Sequence, residues 1–513
     1  MKKVIGIIFT ILLTIILVGC REEETKVTAT FSEVDIMQNS ISFDLDIQDP
    51  DQEITGEVYI SLIKSNGEVV QTLDIDMEMD LTGVPFSNLV NTESYTIKVY
   101  ATVGRKVHII GEYTFQPASA QTVHITTPEQ FLAMSSNRSG NYVLDNDIDF
   151  TGIEFVSPFT SAFSGTFDGQ GHSIKNVTFT KVATYTGIFG YVSSAKIQNL
   201  VIENVTIGTP SAPLVMTTST RTGILAGYIS TSTAVVENVT IKNSSINYST
   251  SSTVQAYVGG AVGEFRAKMT GIELDNVSVH LKSTSYGRIR LGGVIGTLSE
   301  EATLKEVSSN ANVSLDFVGN NIRNREIRIN VGGVIGYHNA RNINRSVENI
   351  YSTGNVTVDL NFGTASNTTS GNYSVYVGGL AGIAYSNIHH AFYAGSIEVN
   401  HEKNDYESQV SKSFHIGGLM GFYGSNKTST EVVRLGDNQS ITIEVSDDVL
   451  LRASQTSGHS ISTTIQNIGI FGSTHLMINQ VSEVENDTST VYNDLNDYFT
   501  SDWIQDAYEA LTA

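Results

Sequence analysis

The chain has 513 residues, room for roughly two to four domains, and only 16% of them are charged, against about a quarter in ordinary globular proteins. Gly is frequent at 44 residues, Pro is rare at 7, and Lys plus Arg number 30 against 53 Asp plus Glu, a net charge of -23. This balance excludes nucleic acid as a partner, because phosphate binding needs a basic footprint, and a single Cys excludes both a disulfide framework and a multi-Cys metal site.

The N-terminus opens with the cationic Met1-Lys2-Lys3 and continues as an apolar run from Val4 to Val18. That run is too short for a membrane span, which needs about 20 residues, and suits a signal-peptide core. It ends in Leu17-Val18-Gly19-Cys20, which resembles a bacterial lipobox. The resemblance implies cleavage after residue 19, diacylglycerol on Cys20, and a chain anchored at the extracellular face of the bacterial cell membrane. Two acyl chains suffice for stable anchoring where one is marginal. Residues 20–26 then form a charged linker.

Residues 27–118 alternate between apolar and polar side chains. Ile41 to Ile47, Val58 to Leu62, Leu73 to Leu81 and Tyr95 to Ala101 each repeat with period two, the mark of half-buried strands. Asp49-Pro50-Asp51, Ser65-Asn66-Gly67 and Thr82-Gly83 separate them as turns. The expectation is an antiparallel β-sandwich, similar to fibronectin type III-like modules. Asp44, Asp46, Asp49, Asp51 and Glu53 raise calcium as a question, but they lack the spacing of a calcium loop.

Residues 122–480 are repetitive. Thr126-Thr127-Pro128 is expected to open a short helix. One glycine-rich element then recurs, carried by Gly187 and Gly190, Gly223 and Gly227, Gly259, Gly260 and Gly263, and Gly292, Gly293 and Gly296. It continues through Gly332, Gly333 and Gly336, Gly378, Gly379 and Gly382, and Gly417, Gly418 and Gly421, with Gly469 and Gly472 as a degenerate last copy. Asn-rich, β-branched segments fill the intervals, and no amphipathic helix separates them. A period of this size with strands alone predicts an all-β solenoid, the parallel β-helix, with Gly at corners that need positive φ or close backbone approach.

These elements resemble GLUG motifs. Similar repeats occur in streptococcal immunoglobulin A-cleaving metallopeptidases and in large adhesin-like surface proteins. The resemblance covers about residues 122 to 475 and implies a right-handed β-helix in a GLUG-motif-containing bacterial surface lipoprotein. It implies no activity, cofactor or metal. A zincin needs two His on one helix face with a Glu between; His401-Glu402 has no second His, so the peptidase chemistry does not carry over. Asp145, Asp147, Asp149, Asp168 and His172 are the candidate carboxylate set of a polysaccharide-degrading enzyme, with a structural role weighed above it. His389-His390 has no carboxylate or Cys beside it.

The expected function is therefore a non-catalytic, adhesin-like solenoid that binds an extracellular glycan or host protein. The rivals are a carbohydrate-active enzyme on a β-helix and a structural envelope spacer. Long polar segments between repeats, such as residues 361–372 and 401–412, would project from one face. Residues 288–345 carry eight basic against five acidic side chains in an acidic chain. Arg288 and Arg290 precede one glycine element, and Arg323, Arg325 and Arg328 precede the next, so a stacked, anion-binding Arg patch is expected there. Glu300, Glu301 and Glu326 could instead neutralise it. Residues 481–513 are expected to be a linker and a helical cap over the last coil, with Ile504, Ala507, Tyr508 and Leu511 on its apolar face.

Overall fold

The computed structural model describes residues 25–36, 39–90, 93–117, 122–250, 254–284, 287–299, 301–319, 323–339, 347–362, 370–401, 410–424, 430–435, 440–445, 449–454, 457–460, 468–471, 475–478, 490–492, 502–503 and 506–507. The chain divides into two compact units, Met1–Gln121 and Thr122–Ala513. Among the described residues, no helix is long and apolar enough to cross a membrane.

Among the described residues the first unit holds seven strands: β1 (Thr28–Ile36), β2 (Ser40–Gln48), β3 (Ile54–Lys64), β4 (Val69–Ile75), β5 (Val84–Ser87), β6 (Tyr95–Val103) and β7 (Lys106–Phe115). They form two antiparallel sheets, ordered β1-β2-β5 and β4-β3-β6-β7. Alternate residues such as Phe43, Ile60, Ile97 and Val99 meet in one core. The expected strand from Leu73 to Leu81 stops at Ile75. Asp76 accepts from the Glu78 amide at 3.1 Å and Asp80 from the Thr82 amide at 3.0 Å. These local bonds compete with the sheet ladder and leave Met77 and Met79 exposed. The acidic cluster is spent on the chain itself. Asp49 accepts from the amides of Glu53 and Ile54, Asp44 from that of Gly83, and Asp51 pairs with Lys26.

The second unit winds through three parallel sheets, one of 22 strands and two of 8. Each coil passes from the long sheet to the second sheet, turns at a glycine element into the third, and returns. This is the path of a parallel β-helix. Equivalent residues pair in register, so Gly259, Gly292, Gly332, Gly378 and Gly417 form one column. The last coil corrects the sequence reading. Ser454 pairs with Gly417 and Ser457 with Met420. Ile468–Phe471, containing Gly469, lies in the long sheet against Val432–Leu435 instead.

The corner glycines are required by close approach. A Cβ on Gly293 would lie 1.9 Å from the Gly333 carbonyl oxygen, and one on Gly332 would lie 2.1 Å from that of Ile335. Gly190 is the one described corner glycine that is also left-handed, at φ +49°; the long sheet bends at two further left-handed columns. Asn199, Asn238, Gly271, Glu306, Asn349 and His390 make one, and Asn176, Asn204, Asn243 and Asn276 the other. Asn tolerates this conformation, and its amides also link coil to coil: Asn238 donates to Asn199 at 3.2 Å and Asn276 to Asn243 at 2.9 Å. His390 is thus a corner residue of the ladder.

Helix α1 (Pro128–Ala133) closes the first coil. Thr127 caps it, in a capping box with Gln130. It buries Phe131 among Phe150, Phe155, Phe167 and Phe189, with centroids 5.9 to 6.4 Å away. At the other end of the chain, Trp503 stands 5.7 Å from Tyr351, and Tyr351 stacks on Phe392 at 4.8 Å. Trp503 therefore lies against the outer face of the long sheet, while Thr490–Tyr492 adds a strand to it beside Ile468–Phe471. Of the expected apolar helix face, Ile504, Tyr508 and Leu511 are outside the described residues.

Candidate functional site: a cation and aromatic trough

Two columns of outward side chains meet across the glycine corner. The residue two places before the first glycine gives the second-sheet column Tyr185, Arg221, Tyr257, Arg290, Asn330, Tyr376 and His415. The residue after the last glycine gives the third-sheet column Tyr191, Tyr228, Glu264, Thr297, Tyr337, Ile383 and Phe422. They touch: Arg290 donates to Thr297 Oγ1 at 3.3 Å, and Tyr376 stands edge-on to Phe422 at 5.9 Å. The result is a trough that follows the stacking axis.

Arg290 is held by rings. Its guanidinium carbon lies 4.0 Å from the Tyr337 centroid and 4.8 Å from that of Tyr257. Burial pulls its pKa below the ordinary 12.5, with the Tyr257 and Tyr337 hydroxyls opposing, and it remains a cation at any physiological pH. Cation–π contacts at desolvated sites contribute about 2 kcal/mol. Arg288 and Arg328 precede the paired Ile289 and Ile329 and are exposed on the same side. With Arg290, Asn330, Tyr337, Tyr376, Tyr385 and Phe422 they line a cavity of about 340 Å³, within the range of small-ligand sites.

The expected Arg patch is thereby redistributed. Arg288 stacks with Arg328, but Arg290 stacks with Asn330. Arg323 and Arg325 pair through the backbone with Ser370 and Gly371, and their side chains are outside the described residues. So are Glu300 and the Glu326 side chain. Lys305 pairs with Glu348 at 2.9 Å on the long sheet, away from the trough. The aromatic columns escaped the sequence reading. Their signal was present as Tyr at two fixed offsets, before Gly187, Gly259 and Gly378 and after Gly190, Gly227 and Gly336, and it only acquires meaning once those offsets face one another.

The candidate carboxylates are hydrogen-bonded within the first coils. Asp149 accepts from Thr151 Oγ1 at 2.7 Å, from its amide at 2.9 Å and from Asn176 at 2.9 Å. Asp168 accepts from the Gln170 amide, Gln198 and Asn199. Asp147 accepts from the Ser173 amide at 2.9 Å and from Lys175 at 3.2 Å, with His172 3.6 Å away. Asp145 meets His124 at 2.8 Å. Hydrogen bonds from Thr151 and Asn176 hold Asp149 at a pKa of about 2, and the amides of Ser173 and Gln170 hold Asp147 and Asp168 low against the opposing effect of burial. A glycosidase acid needs the opposite shift, a carboxyl kept protonated near neutrality. His401 ends a strand and is buried against Phe362 and Phe414. Among the described residues, no group of three His, Cys, Asp or Glu could hold a metal ion.

Depressed carboxylates stabilise the fold above their ordinary pKa near 3.8 and lose that contribution as pH falls through the folded value. The first coils are therefore expected to lose amide protection between about pH 4 and pH 2. Hydrogen exchange at Ile148 and Ile174 would read this, and Asp149→Asn should flatten the dependence.

Comparison with family models, with curated proteins and with solved structures returns no match to this chain.

Proposed function

We propose that the protein is a lipid-anchored, adhesin-like surface solenoid that binds an anionic extracellular ligand, glycan or protein, in the trough. The supporting observation is the cavity of about 340 Å³ lined by Arg288, Arg290 and Arg328 together with four aromatic rings. Arg grips carboxylate or phosphate with two parallel bonds, and rings beside it exclude water and strengthen that grip. In this account Cys20 carries the anchor, and the repeats are GLUG-like and wind to the right. The two antiparallel sheets of the first unit act as a fibronectin type III-like spacer.

The test is a screen of the full-length protein in detergent against anionic glycans and matrix proteins across a salt series. Arg288→Ala with Arg328→Ala should weaken the captured ligand by roughly tenfold or more, the size of one or two charge-assisted bonds. Both side chains are exposed, so folding should be untouched. Equal binding by wild type and variant, or binding indifferent to salt, would overturn the proposal.

A further inference from the structure

The trough does not end at the cavity. Two coils earlier it carries a second cluster that no charge count reveals. Tyr191 and Tyr228 are register partners with centroids 5.6 Å apart and planes within 6°. Tyr185 reaches them from the second sheet, at 4.9 Å and 5.5 Å. All three are only half-buried, so the cluster offers aromatic surface to solvent.

Arg221 joins this cluster to the cavity. Its guanidinium carbon lies 4.8 Å from the Tyr228 centroid, 5.7 Å from Tyr185 and 5.5 Å from Tyr257. Tyr257 is the ring that Arg290 covers from its other side, at 4.8 Å. Glu264, with a side chain 6% exposed, fixes the cluster by accepting from Arg221 Nε and, at 2.9 Å, from Arg266 Nη2. Glu264 serves both guanidinium groups, and Glu301 adds its charge near Arg266. Cation and ring thus alternate along the axis from Arg221 through Tyr257 and Arg290 to Tyr337. Arg221 and Arg290 sit two strands apart, about 10 Å at the usual strand spacing.

We infer that the trough holds one chain of a uronic-acid polysaccharide along the stacking axis, with Tyr185, Tyr191 and Tyr228 as a second subsite that stacks a sugar ring. This rests on the trough being the binding site. The C–H edges of a pyranose carry partial positive charge and settle on the negative face of an aromatic ring, as a cation does. Two fixed cations in one column, Arg221 and Arg290, can meet carboxylates that recur along a polymer. An acidic peptide fits less well. The strands flanking the trough are paired on either side by neighbouring coils, so a peptide finds no open edge to extend.

Uronate oligomers from di- to octasaccharide, titrated against the full-length protein, test the inference. Affinity is expected to climb with length as the second subsite is reached. Tyr228→Ala, or Tyr191→Ala should the first variant fold poorly, should remove about fivefold to tenfold from the octasaccharide and leave the disaccharide unchanged. Arg288→Ala with Arg328→Ala should weaken every length. Affinity independent of length, equal loss at all lengths in the Tyr variants, or equal binding of a neutral glucan or of poly-glutamate overturns the inference. Failure of every uronate to bind overturns it too, and leaves the trough standing only if another captured anion still depends on Arg288 and Arg328.

Discussion

Gly293→Ala should destabilise the solenoid on the order of 3 to 5 kcal/mol, well above the cost of an ordinary substitution. The added methyl would meet the Gly333 carbonyl oxygen at 1.9 Å, and the obstacle is backbone in the next coil, which cannot rotate away. Gly260, Gly333 and Gly379 repeat the arrangement, each facing the carbonyl of the glycine one coil on, at 2.1, 2.2 and 2.4 Å. The conformation of these residues is not left-handed, so Asn, which rescues a strained φ, gives no relief here. Gly152→Asn is the control: its φ is +76° and a Cβ there meets nothing within 4 Å. It should cost less than about 1 kcal/mol. Thermal melts followed by circular dichroism would rank the two, and a Gly293→Ala protein as stable as the control would refute the corner account.

Cys20→Ala is expected to abolish lipid anchoring. In the proposed anchor the Cys20 sulfur carries the diacylglycerol through a thioether, and no other Cys exists in the chain to substitute for it. Loss of the acyl chains removes about 0.8 kcal/mol of attachment per buried methylene. Fractionation should find the variant released or mislocalised, and mass spectrometry of wild type should find a diacylglycerol-bearing Cys20 as the first residue. An intact Met1 in the membrane fraction would contradict the anchor.

Strand-level architecture was legible because it follows from short-range rules. Period-two alternation from Ile41 to Ile47 and the recurring glycine pairs each state which face is buried. Where side-chain chemistry overrides that alternation, the sequence misleads: Asp76 and Asp80 cut a strand whose apolar pattern runs on to Leu81. Register is the harder quantity. Arg288 and Arg290 looked equivalent to the next Arg cluster, yet only the pairing of Ile289 with Ile329 decides that Arg288 meets Arg328 while Arg290 meets Asn330. The trough itself joins residues on two sheets that turn at a corner, and no one-dimensional pattern announces that they face each other.

From Gly259 onward the described connections between the second and third sheets are two residues long, as between Gly292 and Ile295 or Gly378 and Ala381. Spacing elsewhere in the coil varies, with consecutive final glycines 33 residues apart at Gly263 and Gly296 and 46 apart at Gly336 and Gly382. An inserted residue inside a strand would turn its whole face inside out, so length change is confined to the outer connections. Duplication of an entire coil is different, because it preserves every offset. Each duplication adds one rung of about 4.8 Å to the trough together with one more outward pair of side chains. A gene of this design can therefore adjust the length of polymer its product grips in whole-coil steps, by recombination between repeats and without inventing a new site.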